Sequence, residues 1–129
     1  MNEIRVTAAI IGTALSQWLG GFDGLIETLI VFVIVDYVTG IFAAIIEKNL
    51  SSEFGFKGLL RKVLIFVLVG VANVVDEKLL SVGDELLRTA VIFFYISNEG
   101  ISILENVTRL GLPVPDKLKD ILLQLKKGK

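Results

Sequence analysis

Hydrophobic positions dominate the run from Leu25 to Ile46, LIETLIVFVIVDYVTGIFAAII, which carries a carboxylate, Asp36, at its midpoint. At about 1.5 Å per residue such a run makes a helix of about 33 Å, matching a hydrocarbon core of about 30 Å. It is predicted to cross a membrane. An Asp at that depth costs about 2.5 to 3.5 kcal/mol on insertion scales, so it must face protein or water and is a candidate functional residue.

The same pattern predicts three more long helices. Val6 to Phe22 is free of charge and ends in Gly20, Gly21 and Gly24 around Asp23, giving a helix over 6–22. Val63 to Val75 is also uncharged; with Leu59 and Leu60 before it, Arg61 and Lys62 snorkelling, and Leu79 and Leu80 behind, it predicts a span over 59–80. A fourth helix over 86–106 is the weakest, because its charge-free centre is only Thr89 to Asn98 and Arg88 and Glu99 must be accommodated. Ser81 and Asp84 have the spacing of a capping box before it. Gly111, Pro113 and Pro115 stop the pattern, after which Val114, Leu118, Ile121, Leu122 and Leu125 form the apolar face of a short helix over 114–127. Its other face carries Lys117, Lys119, Asp120 and Lys126, and it is predicted to lie on a membrane surface. The expectation is a single all-α integral membrane domain over 1–129, with four, alternatively three, transmembrane helices and a C-terminal amphipathic basic helix.

Polar and small residues inside these spans mark faces. Ala8, Gly12, Ser16 and Gly20 recur every fourth residue, a stripe suited to close helix packing either within the chain or between copies. Gly40 and Ala44 repeat that spacing one turn beyond Asp36. Gly70, Asn73 and Glu77 share a face, where Asn73 reads more readily as a helix–helix hydrogen bond than as a conducting group. Tyr95, Glu99, Ser102 and Asn106 form a polar stripe that belongs inside a bundle or along water, with Asn98 beside it. For Asp36 two readings stand: a buried carboxylate, protonated or hydrogen-bonded to Thr39, Asn73 or another helix, or a group that sets assembly and lines an aqueous lesion. Spacing assigns no ion partner, because it gives neither helix rotation nor neighbour order.

Composition strengthens the membrane reading. Apolar residues make up 53% of the 129, and about 62% once the 12 glycines are included, against about 45 to 50% in soluble domains. The chain has no Cys and no His, which removes disulfides, thiolate metal sites, the commonest metal ligand and the usual neutral-pH base. No nucleophile, base and orienting group occur together, so neither an enzyme nor a cofactor is expected, nor a nucleic-acid partner.

The formal net charge of −1 hides a segregation by position. Lys48, Lys57, Arg61 and Lys62 outnumber Glu47 and Glu53 in one connecting stretch, whereas Asp76, Glu77, Asp84 and Glu85 outnumber Lys78 and Arg88 in the next. The tail is basic again, with Arg109 and five lysines. By the positive-inside rule the 47–62 stretch and the tail are expected in the cytoplasm, with both termini inside for four spans. If the first segment lies in the interface, only the N-terminus moves outside. Lys57, Arg61, Lys62, Lys126 and Lys127 are the expected basic contacts to anionic lipid.

Three stretches resemble the small phage holin family, which includes holin-like proteins of clostridial toxin loci. They are DYVTG at 36–40, GLLRK at 58–62 and FYISNEGISILENVTRLGLPVP at 94–115. The last is the most specific, through Phe94, Tyr95, Asn98, Glu99, Ser102, Glu105, Asn106, Gly111, Pro113 and Pro115, and the likeness covers residues 30 to 122. It implies a homo-oligomer in the bacterial cytoplasmic membrane that opens lesions for a cell-wall hydrolase during host lysis, or for toxin secretion. Family members commonly have three spans, where length and charge here favour four. Two readings of other classes compete: a small ion channel or transporter using Asp36 and Glu99, and a scaffold for another membrane protein.

Overall fold

A computed structural model describes residues 2–80, 83 and 85–126, with the side chain of Lys126 outside that description. The chain folds as α1 (Asn2–Leu19), α2 (Gly24–Ile46), α3 (Ser52–Val74), a π-helical turn (Val75–Leu80) that continues α3, α4 (Leu86–Arg109) and α5 (Asp116–Lys126). There is no strand among the described residues.

Local chemistry sets the helix ends. Gly20 and Gly21 take φ of +84° and +105°, a region that L side chains avoid, and so stop α1. Asp23 then caps α2, its Oδ1 accepting from Ile26 N at 3.0 Å, and Ser51 Oγ does the same for Phe54 N at 3.0 Å. That second cap starts α3 at Ser52, seven residues before the apolar pattern alone would begin it. Glu85, ahead of α4, is left-handed and offers no side-chain cap. Asp76 supplies one from the π-helical turn, accepting from Leu87 N at 3.0 Å and Arg88 N at 2.8 Å. Ser81 and Asp84, the expected capping box, lie outside the described residues.

Among the described residues three helices are long and apolar enough to cross a membrane: Gly24–Ile46, Ser52–Leu80 and Leu86–Arg109. The 18-residue α1 is not among them, for it is diluted by Glu3 and Arg5 in its first turns and by Ser16 and Gln17 in its last.

Packing runs opposite to that of a water-soluble protein. Val31, Ile34, Val38 and Phe42 of α2, Leu60, Leu64, Val67 and Val71 of α3, and Phe94 of α4 are exposed. Asp36, Asn73, Asp76, Arg88, Ser97, Glu99 and Asn106 are buried. Aliphatic side chains outside and charges inside suit a lipid solvent, where each intramembrane charge must turn toward protein. The bundle's apolar centre is Ile26, Leu29, Val33, Ile65, Val69, Ile92 and Ile96, with Leu19 added by α1. α4 sits centrally, packed against α2, α3 and α5.

Two of the expected faces can be followed in the fold. The Ala8, Gly12, Ser16, Gly20 stripe does not pack within the chain along its length: Ala8 is exposed and nothing approaches the Cβ direction of Gly12. Only Gly20 is enclosed, because α1 meets the bundle through its last turn, where Trp18 Nε1 donates to Phe66 O at 3.2 Å and its indole lies over Gly70. The tail helix packs on the bundle as well, with Leu118 and Ile121 left exposed. α5 folds back along α4 until Leu122 is buried against Gly100, where a Cβ would come within 2.9 Å of it.

Candidate functional site

Each of the three long helices turns polar groups inward with the residues that pack its core. On α3 the buried or half-buried positions Lys62, Ile65, Val69, Asn73 and Asp76 recur at helical spacing, so Lys62 is carried to the bundle's interior by the same face as Val69. On α2 the face is Ile26, Leu29, Val33 and Asp36; on α4 it is Ile92, Ile96, Glu99 and Asn106.

These faces converge on an ionic bridge. The Lys62 ammonium pairs with Asp36 Oδ2 on one side and with Glu99 Oε1, at 2.5 Å, on the other. Asn106 Nδ2 completes the Asp36 environment, donating to its Oδ1 at 3.0 Å and its backbone carbonyl at 3.1 Å, and lying 2.9 Å from Thr39 Oγ1. Thr39 in turn donates to Val35 O at 2.8 Å. Gly40 leaves room for this contact, since a Cβ there would sit 3.6 Å from Asn106 Nδ2. Both carboxylates are almost wholly covered, with side-chain exposures of 6% for Asp36 and 5% for Glu99. In a low-dielectric interior an ion pair offsets its desolvation only when its remaining lone pairs are satisfied. Here no buried side-chain nitrogen or oxygen lacks a partner among the described residues.

A second polar cluster closes one end of the bundle. Arg88 is fully buried, and its Nε donates to Leu19 O at 2.5 Å while its terminal nitrogens donate to Gly21 O at 3.1 Å and to both oxygens of Asp23, at 2.8 and 3.2 Å. Asn73 Nδ2 lies 3.3 Å from the carbonyls of both Gln17 and Trp18. The last turn of α1 is thus held through its unpaired C-terminal carbonyls. The guanidinium bonded to Asp23 holds that carboxyl below its ordinary value of 3.8, against a smaller opposing effect of burial. At the opposite end Arg109 pairs with Glu47 and likewise holds its carboxyl below the ordinary 4.5.

Of the intramembrane polar residues predicted, Asp36, Thr39 and Glu99 meet at the bridge, and Asn106 of the predicted stripe joins them. Asn73 does not: it binds α1 at the other cluster. Tyr95 and Asn98 are half-buried on α4, the Tyr95 ring meeting Phe94 edge to face at 5.0 Å. Gly40 and Ala44 lie on the packed side of α2, Ala44 being 1% exposed. Among the basic residues, Lys57 is exposed and pairs with Glu53 at 3.4 Å, and Arg61 is exposed. Lys62 departs from the snorkelling expected of it and turns inward, because two carboxylates lie there. The Lys126 side chain and Lys127 fall outside the described residues. The roles of Arg88, Asp76 and Trp18 were not read from the sequence; the spacing of Lys62 to Ile65, Val69 and Asn73 held the one usable signal.

A model of the bacteriophage holin family matches residues 13–127. The chain is 42% identical over 129 residues to an uncharacterised 14.9 kDa protein of Clostridium perfringens, covering all of this chain and 97% of that one. It is 43% identical over 126 residues to an uncharacterised protein of Halalkalibacterium halodurans, covering 95% and 93% of the two chains. A probable holin of Bacillus phage phi105 is 37% identical over 97 residues, covering 75% and 70%. No solved structure matches. The match takes in every residue of the ionic bridge and the whole of the three long helices that build it, and the chain belongs to the bacteriophage holin family.

Proposed function

We propose that this chain is a holin, which accumulates in the bacterial cytoplasmic membrane, self-associates, and opens lesions that release a cell-wall hydrolase during host lysis, or a toxin in a toxin locus. The observation that carries this is the bridge of Lys62 to Asp36 and Glu99. It joins three lipid-facing helices by polar contacts inside the bundle, and such contacts can be exchanged for water or for the same groups on another copy. The exposed Ala8 and the open space at Gly12 on the small-residue face of α1 support association between copies. Inducing the chain in a bacterium is expected to arrest growth abruptly, collapse the membrane potential and release a large cytoplasmic reporter enzyme. Saturable ion flux with the reporter retained would replace this reading by a channel or transporter using Asp36 and Glu99; normal growth at confirmed membrane expression would remove both.

The charge pattern supports the 47–62 stretch and the tail on the cytoplasmic side. We infer three spans with α1 held at the outer surface by its last turn, in place of the four that charge-free length alone favours. A cysteine at Asn2 is then expected to react with an impermeant maleimide in intact cells. Protection until the cells are permeabilised would restore the fourth span.

A further inference from the structure

We propose that the cleft between α2, α3 and the C-terminal half of α4 binds the headgroup of an anionic phospholipid. The cleft has a volume of about 390 Å³, and four bases line it: Lys57, Arg61, Lys62 and Arg109. Their carboxylate partners account for three of them. Arg109 is taken by Glu47 and Lys62 by Asp36 and Glu99, whereas Lys57 has only an exposed i,i+4 pair with Glu53, of the kind worth least. Arg61 has no ion pair among the described residues. Its planar guanidinium matches two phosphate oxygens at once. At the floor, the Lys62 ammonium uses two of its three donors on carboxylates and leaves one for a ligand.

The occupant is a lipid and not a free phosphate because of what surrounds the cleft. Phe54 forms part of its wall, and Leu60, Leu64 and Phe42 are exposed on the same two helices. A headgroup seated on Arg61 would leave its acyl chains against that apolar surface. Gly58 keeps the wall thin, for Tyr37 already lies 3.3 Å from where its Cβ would be, while the Tyr37 hydroxyl donates to Gly55 O at 3.0 Å. A basic cleft between membrane helices on the positive side of the charge pattern is the arrangement that holds anionic headgroups. The proposal needs the chain to sit in a bilayer but does not need it to form lesions.

The test is native mass spectrometry of the full chain in mild detergent, with phosphatidylglycerol or phosphatidylcholine of the same acyl chains added. One phosphatidylglycerol is expected to be retained in preference to phosphatidylcholine. Arg61→Gln should weaken that retention about fivefold, Lys57→Gln added to it should weaken it about as much again, and Arg61→Lys, which keeps the charge and loses the two-oxygen fork, should restore only part of it. Lys117→Gln with Lys119→Gln, on α5, should leave it unchanged. Equal retention of the two lipids, no effect of Arg61→Gln, an equal loss from the α5 variant, or displacement of the lipid by glycerol 3-phosphate at comparable concentration would each overturn the proposal. Circular dichroism of each variant separates lost binding from lost fold. A chain that retains the lipid without lysing cells defeats the holin reading alone, and one that lyses cells without retaining it defeats this one alone.

Discussion

Lys62→Met is expected to lower the stability of the bundle by about 3 to 5 kcal/mol, the cost of leaving a buried charge without its partner. The methionine fills nearly the same volume, so packing changes little. What it removes is the cation between Asp36 and Glu99, two carboxylates that are otherwise held side by side with little exposure. The bridge makes a further, asymmetric expectation. It contains two carboxylates for one ammonium, so Asp36→Asn or Glu99→Gln leaves a one-to-one pair with Lys62 and keeps the shape of the side chain. Either should cost far less than Lys62→Met. Combining Lys62→Met with both amides should recover most of the loss, since no charge then remains at the bridge. Thermal unfolding in detergent measures the ladder, and the onset of lysis after timed induction measures its consequence. Asp36→Asn should shift the lysis time while leaving the inserted amount unchanged, because Asn106 still meets a side-chain oxygen at that position and keeps its contact with Thr39. If Asp36→Asn destabilises as much as Lys62→Met, the bridge is not the closure of the bundle.

How far the site is legible in the sequence depends on the kind of information each residue carries. Apolar length and small-residue spacing are local, and they marked α2, the core of α3 and the polar stripe of α4 from Glu99 to Asn106. Helix rotation is not local. Lys62 lies beside Arg61 and both read as snorkelling bases, yet one residue of offset is about 100° around a helix and separates a lipid-facing guanidinium from a buried ammonium. Only the phase of Ile65, Val69 and Asn73 could have told them apart. The partnership of Asp76 with the amides of α4 is less accessible still. It joins two elements through a turn, and the sequence offered a nearer and more familiar cap in Ser81 and Asp84. α1 carries a different kind of information. Its uncharged length and its glycine stripe argue for a span, and the contacts it makes with the bundle are confined to its last turn, through Trp18, Leu19 and the carbonyls that follow them.

Arg88→Met is expected to detach that end of α1. The guanidinium is 1% exposed and holds Leu19 O, Gly21 O and Asp23 together, so its removal orphans two carbonyls at a helix terminus, worth about 1 to 3 kcal/mol each where water cannot reach them. Trp18 reports the event directly. It is the only tryptophan in the chain, and its indole is fixed over Gly70 by the bond to Phe66 O. Its emission should therefore shift, and become more open to an aqueous quencher, in Arg88→Met but not in Lys62→Met at temperatures where that variant stays folded. Acid should act on the same latch from the other side. The folded-state pKa of Asp23 lies below its ordinary value, so the contribution of the pair is fully present above about pH 3.8 and is lost as pH falls through the lowered value. Glu85, 3.6 Å from the same guanidinium, tempers the loss but cannot replace a two-oxygen contact. Trp18 emission in detergent should hold steady from neutral pH down to that range and then change, and Asp23→Ala should show the changed emission at every pH. A Trp18 signal indifferent both to Arg88→Met and to acid would mean that α1 is held by its apolar contacts at Leu19, and that the polar latch is incidental.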